Sequence, residues 1–234
     1  MARDTEARRE QLKTALIDAA ERAVSRNGLA GIKARDLAKK AKCAVGAIYN
    51  VFPDLDALIY EVNARTLRLF ESFLASAEAE SNDSETNPAV ARLIHLATTY
   101  LEFAIAHHAR WQALFEYRAA SLREPVPEWY VYEQSRLFML VEGPLQELVP
   151  DLEGDALSLA ARTLFSGVHG VVSLGLDAKL LTLPPGVLRD QVRVFVRSIA
   201  VGLRAEWTKG GTATRRETRP AIPRKRRVPT RSRR

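Results

Sequence analysis

With a single cysteine, Cys43, among 234 residues, the chain can form no internal disulfide and no thiol cluster for a metal. Aromatic residues make up only 7%, but 47% of the residues are hydrophobic, so a packed core is within reach at this length and disorder throughout is excluded. No run of about 18 apolar residues offers itself as a bilayer span, and the stretch from Met1 to Glu10 is charged rather than signal-like. A cytoplasmic protein without a membrane partner is expected. His95, His107, His108 and His169 include no i, i+4 pair around a glutamate. There is no glycine-rich phosphate loop, and Gly167-Val168-His169-Gly170 has neither a lysine nor a nucleophilic serine. No metal site, no cofactor and no catalysis are expected.

Charge is distributed in three blocks. Residues 1–52 hold 11 Lys/Arg against 6 Asp/Glu, a net +5; residues 53–208 hold 13 against 21, a net −8; residues 209–234 hold 11 against 1, a net +10. A basic head, an acidic middle and a very basic tail confine contact with a polyanion to the ends.

Apolar residues recur at three and four positions and nowhere alternate cleanly over five, so the chain reads as all-α with about nine helices. The spacing predicts helices over about 6–25, 34–41, 45–51, from Pro53-Asp54 for about 25 residues, 89–107, 110–120, 128–148 with an interruption at Gly143-Pro144, 155–180 and 187–207. Lys209 to Arg234 is rich in Gly, Pro, Thr and Arg, and its sparse apolar surface predicts a disordered tail, either a solvated appendage or a modest enhancer of nucleic-acid affinity. The domains expected are therefore 1–53, 54–208 and 209–234.

Two short helices across a three-residue turn, braced by a longer one, make a helix-turn-helix unit, whose second short helix enters the DNA major groove. Ala34-x-x-Leu37-Ala38-x-x-Ala41 followed by Val45-Gly46-x-Ile48-Tyr49-x-x-Phe52 has the small and apolar residues that such a crossing needs. Gly46 costs that helix about 1 kcal/mol relative to alanine, a cost that close approach to a sugar-phosphate backbone would justify. For Cys43 the simplest reading is a small buried apolar residue.

The stretch from Gly28-Leu29 through Arg35-Asp36-Leu37-Ala38 to Val45-Gly46-Ala47-Ile48-Tyr49-Asn50-Val51-Phe52-Pro53 and Ala57-Leu58 resembles the N-terminal domain of the tetracycline-repressor (TetR/AcrR) family of transcriptional regulators. Trp111 with Leu114-Phe115-Glu116, together with Gly167-Val168-His169-Gly170, is similar to the effector domain sometimes called the WHG type. The resemblance implies a homodimeric, ligand-responsive regulator, most simply a repressor of a double-stranded DNA operator. It implies that Tyr49 gives its hydroxyl to a phosphate, that Gly46 and Ala47 press on bases or sugars, and that Lys33 lies near phosphate at a helix start. By the same resemblance, Val45 and Asn50 are expected to point outward within reach of base edges. The chain departs from the family at Lys42-Cys43-Ala44, where Gly-Val-Ser is usual, at Lys33, where Ser or Thr often caps, and at Leu55, which replaces a common lysine. Lys39, Lys40 and Lys42 supply substitute charge. The DNA-binding set is thus Lys33, Lys42, Ala44, Val45, Gly46, Ala47, Tyr49 and Asn50.

Aromatic side chains concentrate between Tyr100 and Phe138, and such an assembly can enclose a pocket as readily as fill a core. By the resemblance, Tyr100, Phe103, Trp111, Phe115 and His169 are expected to hold a small-molecule effector. The last two helices carry more apolar circumference than one neighbour covers, which places Leu164, Val168, Val171, Val172, Phe195 and Ile199 at a contact between two copies of the chain.

Overall fold

The computed structural model describes residues 2–77, 86–117, 126–176 and 183–210. Among them are nine α-helices and one 3-10 turn, and no strand. The helices are α1 (Ala2–Asn27), α2 (Ala34–Lys40), α3 (Val45–Tyr49), α4 (Leu55–Ala77), α5 (Pro88–Ala106), α6 (His108–Glu116), α7 (Glu128–Leu148), α8 (Gly154–Leu176) and α9 (Pro185–Gly210).

Local chemistry sets several boundaries. Gly28, at φ +58, takes the left-handed conformation that ends α1. The 3-10 turn Gly28–Gly31 then lies so close to α1 that a Cβ on Gly31 would sit 2.7 Å from the Ala23 carbonyl oxygen. Asp54 caps α4, its Oδ1 accepting from the Ala57 N–H at 2.7 Å. Asn87 Oδ1 accepts from both the Ala89 and Val90 N–H groups, and Pro88 at the first helical position has no N–H to satisfy.

The expected break at Gly143-Pro144 does not occur: α7 is continuous through Pro144. Pro144 stands in the helix's closing turns, so one hydrogen bond is lost near an end, and burial of Pro144, Leu145, Leu148 and Val149 offsets it. Helix α9 continues past Trp207 to Gly210, so Lys209 is helical rather than tail. The remainder of the expected tail, 211–234, lies outside the described residues, as do the last expected turns of the helices placed at 110–120 and 155–180.

The apolar faces assemble two main cores. The head core joins Leu16, Ala20, Val24, Leu37, Ile48 and Phe52, and takes in Leu58 and Val62 of α4 and Ala113 of α6. The lobe core is built on α5, packed between α4, α7, α8 and α9, with Trp111 and Phe103 among its largest fully buried side chains. Helix α4 contributes to both. Ion pairs bind it to α7: Arg68 to Glu133 at 2.7 Å and Arg136 to Glu71 at 2.5 Å.

Helices α5 and α8 each contain an 18-residue window of similar mean hydropathy, 1.2 and 1.3, enough by length and composition alone to cross a membrane. The fold treats them differently, burying 67% of the first window and 28% of the second.

Candidate nucleic-acid interface and apolar cavity

The turn between α2 and α3 fixes how α3 is presented. Lys42 is the only non-glycine with positive φ among the described residues, at +55. The Cys43 N–H donates to the Ala38 carbonyl at 3.0 Å and the Lys42 N–H to the Lys39 carbonyl at 3.3 Å. This pair of bonds is the Schellman arrangement, normally completed by glycine at the left-handed position. Lysine in that conformation costs about 1 kcal/mol, and its ammonium is held out at the tip of the turn. Cys43 packs against the head core as a half-buried apolar residue.

Neither short helix has a side-chain cap. Lys33 stands at the N-cap of α2 and Ala44 at that of α3, both extended, neither bonded through a side chain. Ile48 is fully buried and anchors α3 to the head, with Phe52 beside it. The opposite face is open: Ala44, Gly46 and Asn50 are exposed, Val45 is 39% and Tyr49 50% exposed, and Ala47 is half-buried. A Cβ on Gly46 would meet nothing within 4 Å. Lys33, Lys39, Lys40 and Lys42 are exposed around this face. All eight residues of the expected DNA-binding set thus lie on one module, and their side chains are accessible except for the partial cover of Ala47.

In the lobe, a small apolar cavity of about 70 Å³ opens between α4, α5, α7, α8 and α9. Tyr100 lines it together with Phe70, Leu137, Phe138, Leu164 and Phe165. Of the five expected pocket residues only Tyr100 is on the wall. Phe103 is fully buried behind it, against Phe70, Phe73 and His107. Trp111 is 2% exposed and donates its Nε1–H to the Tyr100 hydroxyl at 2.7 Å. The same hydroxyl lies 2.7 Å from His169 Nδ1. An indole N–H can only donate, so the hydroxyl accepts from Trp111, and the direction of its bond with His169 is set by the imidazole tautomer. Burial pushes the Tyr100 phenol well above the usual tyrosine range. Phe115 stacks 4.1 Å from the His169 ring and is 41% exposed on the outer side.

A polar junction joins lobe to head. Arg110, the neighbour of Trp111 on α6, donates to Glu21 at 2.8 Å and to the Ser25 hydroxyl at 2.6 Å on α1. Arg65 of α4 reaches Asp18 at 2.5 Å and Glu21 at 3.0 Å. Burial, and then the charge of Arg110, hold His107 below the usual histidine range. Sequence reasoning missed this junction. It also missed the Tyr100–Trp111–His169 bonds, whose signal was the polar handle of a tryptophan and a tyrosine, each of which needs a partner when buried.

The residues expected at a subunit contact differ in how far their own chain covers them. Leu164, Val168 and Val172 are buried within the chain, the first two on the cavity wall. Val171 and Phe195 are half-buried, and Gly167 admits the Phe195 ring so closely that a Cβ there would lie 2.5 Å from it. Ile199 is exposed, and with it stand Leu159, Leu174, Val194 and Val201, at 41% to 66% exposure.

Comparison with known proteins agrees with both halves. The family model described as bacterial regulatory proteins, tetR family, matches residues 16–62, and that of the tetracyclin repressor-like C-terminal domain matches residues 93–199. No curated protein matches the chain. Among solved structures, a TetR transcriptional regulator from Rhodococcus sp. RHA1 is similar at 13% identity and TM-score 0.56, over 83% of this chain and 98% of that one. A TetR-family regulator from Bordetella parapertussis 12822 is similar at 16% identity and TM-score 0.53, over 79% and 93%. RolR in complex with resorcinol is similar at 18% identity and TM-score 0.58, over 87% and 94%. At these identities the structures speak for the fold.

Proposed function

Because the chain belongs to the tetracycline-repressor family of DNA-binding transcriptional regulators, we propose that it acts as a homodimeric repressor that a small-molecule effector releases from a two-fold symmetric operator. The observation that carries the reading is the open face of α3: Val45, Gly46, Tyr49 and Asn50 are exposed beside four lysines, and among the described residues nothing lies within 4 Å of where a Cβ on Gly46 would sit. A glycine in a one-turn helix with no internal packing reason is accounted for by a surface outside the chain. In this reading Tyr49, Lys33 and Lys42 hold phosphates, while Val45 touches a thymine methyl and Asn50 an adenine edge.

Dimerisation is supported by α8, whose apolar window is mostly uncovered by its own chain, and by the adjoining outer face of α9. Leu159, Val194, Ile199 and Val201 replace the buried leucine and valines as the seam. Two heads on one axis then enter successive major grooves, about 34 Å apart or a multiple of it.

Release follows from differential affinity: an effector that favours a dimer state with another head spacing weakens DNA binding by the same factor that DNA weakens the effector. Occupancy of the cavity displaces Tyr100, Tyr100 holds Trp111, and Trp111 shares α6 with Arg110, which grips Glu21 and Ser25 of the head. Helix α6 is thereby the connection from ligand to head, acting in parallel with α4.

Selection of bound sequences from random duplex DNA tests the reading. A pseudo-palindrome is expected, protected symmetrically in a footprint. Recovery of unenriched sequences, bound with equal affinity, would overturn it.

A further inference from the structure

The cavity wall is chemically one-sided. Among the described residues, thirteen of its fourteen lining side chains are hydrocarbon and none is charged. The exception is Tyr100, and its hydroxyl is tied at 2.7 Å to both Trp111 and His169, neither of which lines the cavity. A molecule inside therefore meets Tyr100 as a ring rather than as a hydrogen-bonding group. The Arg162 guanidinium lies 5.4 Å from the centre of the Phe138 ring and is not part of the wall. The Glu142 carboxylate is engaged with the Ser158 hydroxyl at 2.7 Å.

A charge brought into such a space loses its water and gains no partner, which costs far more than hydrophobic contact returns. A neutral hydrocarbon leaves nothing unsatisfied. We infer that the cavity takes an uncharged, hydrocarbon-rich ligand and rejects carboxylates, ammonium groups and polyols of the same size. The inference rests on the ligand-responsive reading above and narrows its ligand class. Selectivity lies in the absence of polar groups on the wall. The Tyr100 hydroxyl maintains the wall from behind and does not read the ligand.

The probes are naphthalene, 2-naphthoate and 2-naphthylmethylammonium, competed against fluorescent N-phenyl-1-naphthylamine on the full-length protein. Naphthalene is expected to displace the dye, and both ions to do so about 100-fold more weakly, because each enters without a counter-charge. Ala97→Phe, which fills the space from α5, is expected to abolish dye binding, with helicity measured alongside. Tyr100→Phe provides the second variant: naphthalene affinity within about threefold of the parent supports a ring-only role for Tyr100. Equal affinity for 2-naphthoate, lost in Arg162→Ala, would overturn the inference in favour of an amphiphile with its head at the rim. Undiminished dye binding in a folded Ala97→Phe protein would overturn it as well. Operator release is measured separately: naphthalene that binds without releasing DNA supports the ligand class and sinks the release mechanism. Release by an ion to which naphthalene is no competitor sinks the ligand class and leaves the mechanism standing.

Discussion

The head and the lobe obey different standards of local construction. In the lobe, α5 starts with an asparagine that satisfies two N–H groups and a proline where no donor is needed, and buried aromatic handles find partners in Tyr100, Trp111 and His169. In the head, α2 and α3 start on uncapped lysine and alanine, a lysine occupies a left-handed position, and a glycine interrupts a five-residue helix. These departures cluster around one exposed face. In the head, local rules are broken beside a surface that has a use outside the chain.

The comparison is broken most severely at α3. Tyr49→Ala combined with Asn50→Ala is expected to lower operator affinity about 100-fold, since a base contact and a phosphate contact are each worth about 1–3 kcal/mol. Dimerisation and helicity are expected to stay as they are, and undiminished protection in a footprint would remove α3 as the reading element. Next in size is Ile199→Asp with Val194→Asp on the outer face of α9. Sedimentation velocity should report monomers, with operator binding weakened by more than tenfold through loss of the second head. Dimers persisting in the double variant would move the seam elsewhere.

Gly46→Ala sharpens the contrast by separating stability from recognition. It is expected to raise the stability of the head by about 1 kcal/mol in thermal unfolding, while DNA affinity falls because the new methyl occupies the space that a backbone or base would enter. A variant that is both more stable and tighter on DNA would contradict the role given to that space. Repairing the turn is gentler: Lys42→Gly and Ala44→Ser are each expected to stabilise the head by about 1 kcal/mol, with dye binding in the lobe unchanged. The smallest effect concerns pH. The folded chain holds His107 below its ordinary pKa, so the unfolded chain binds the extra proton first. Stability should therefore decline as pH falls through the ordinary histidine range near 6.5, and His107→Gln should flatten that decline.

The head was largely legible in the sequence because its signals are local. Leu37, Ala38, Ile48 and Phe52 at short spacing specify the crossing, and the residues between them are exposed by default. The orientation of α8 was not legible. Leu157, Ala161, Leu164, Val168 and Val172 are buried within the chain, while Leu159 and Leu174 are exposed. An apolar ring that nearly encircles a helix carries no mark of which half meets its own chain and which meets a copy. Pro144 misled for a related reason: a helix breaker states a local cost, and the burial that offset it depends on packing with other helices. The pairing of Tyr100 with His169 spans 69 positions, and a cavity is defined by atoms that are missing.

Ala113 is 1% exposed, yet the core it completes belongs to the head, which lies before it in the chain by some fifty positions. The module that reads DNA is therefore not a separable cassette. A chimaera that joined residues 1–62 to a foreign lobe would leave a hole where that methyl sits and strip Glu21 of Arg110, unless the recipient supplied an α6 of matching shape and charge. Exchange of operator preference between such regulators is constrained by this borrowed helix as much as by α3 itself.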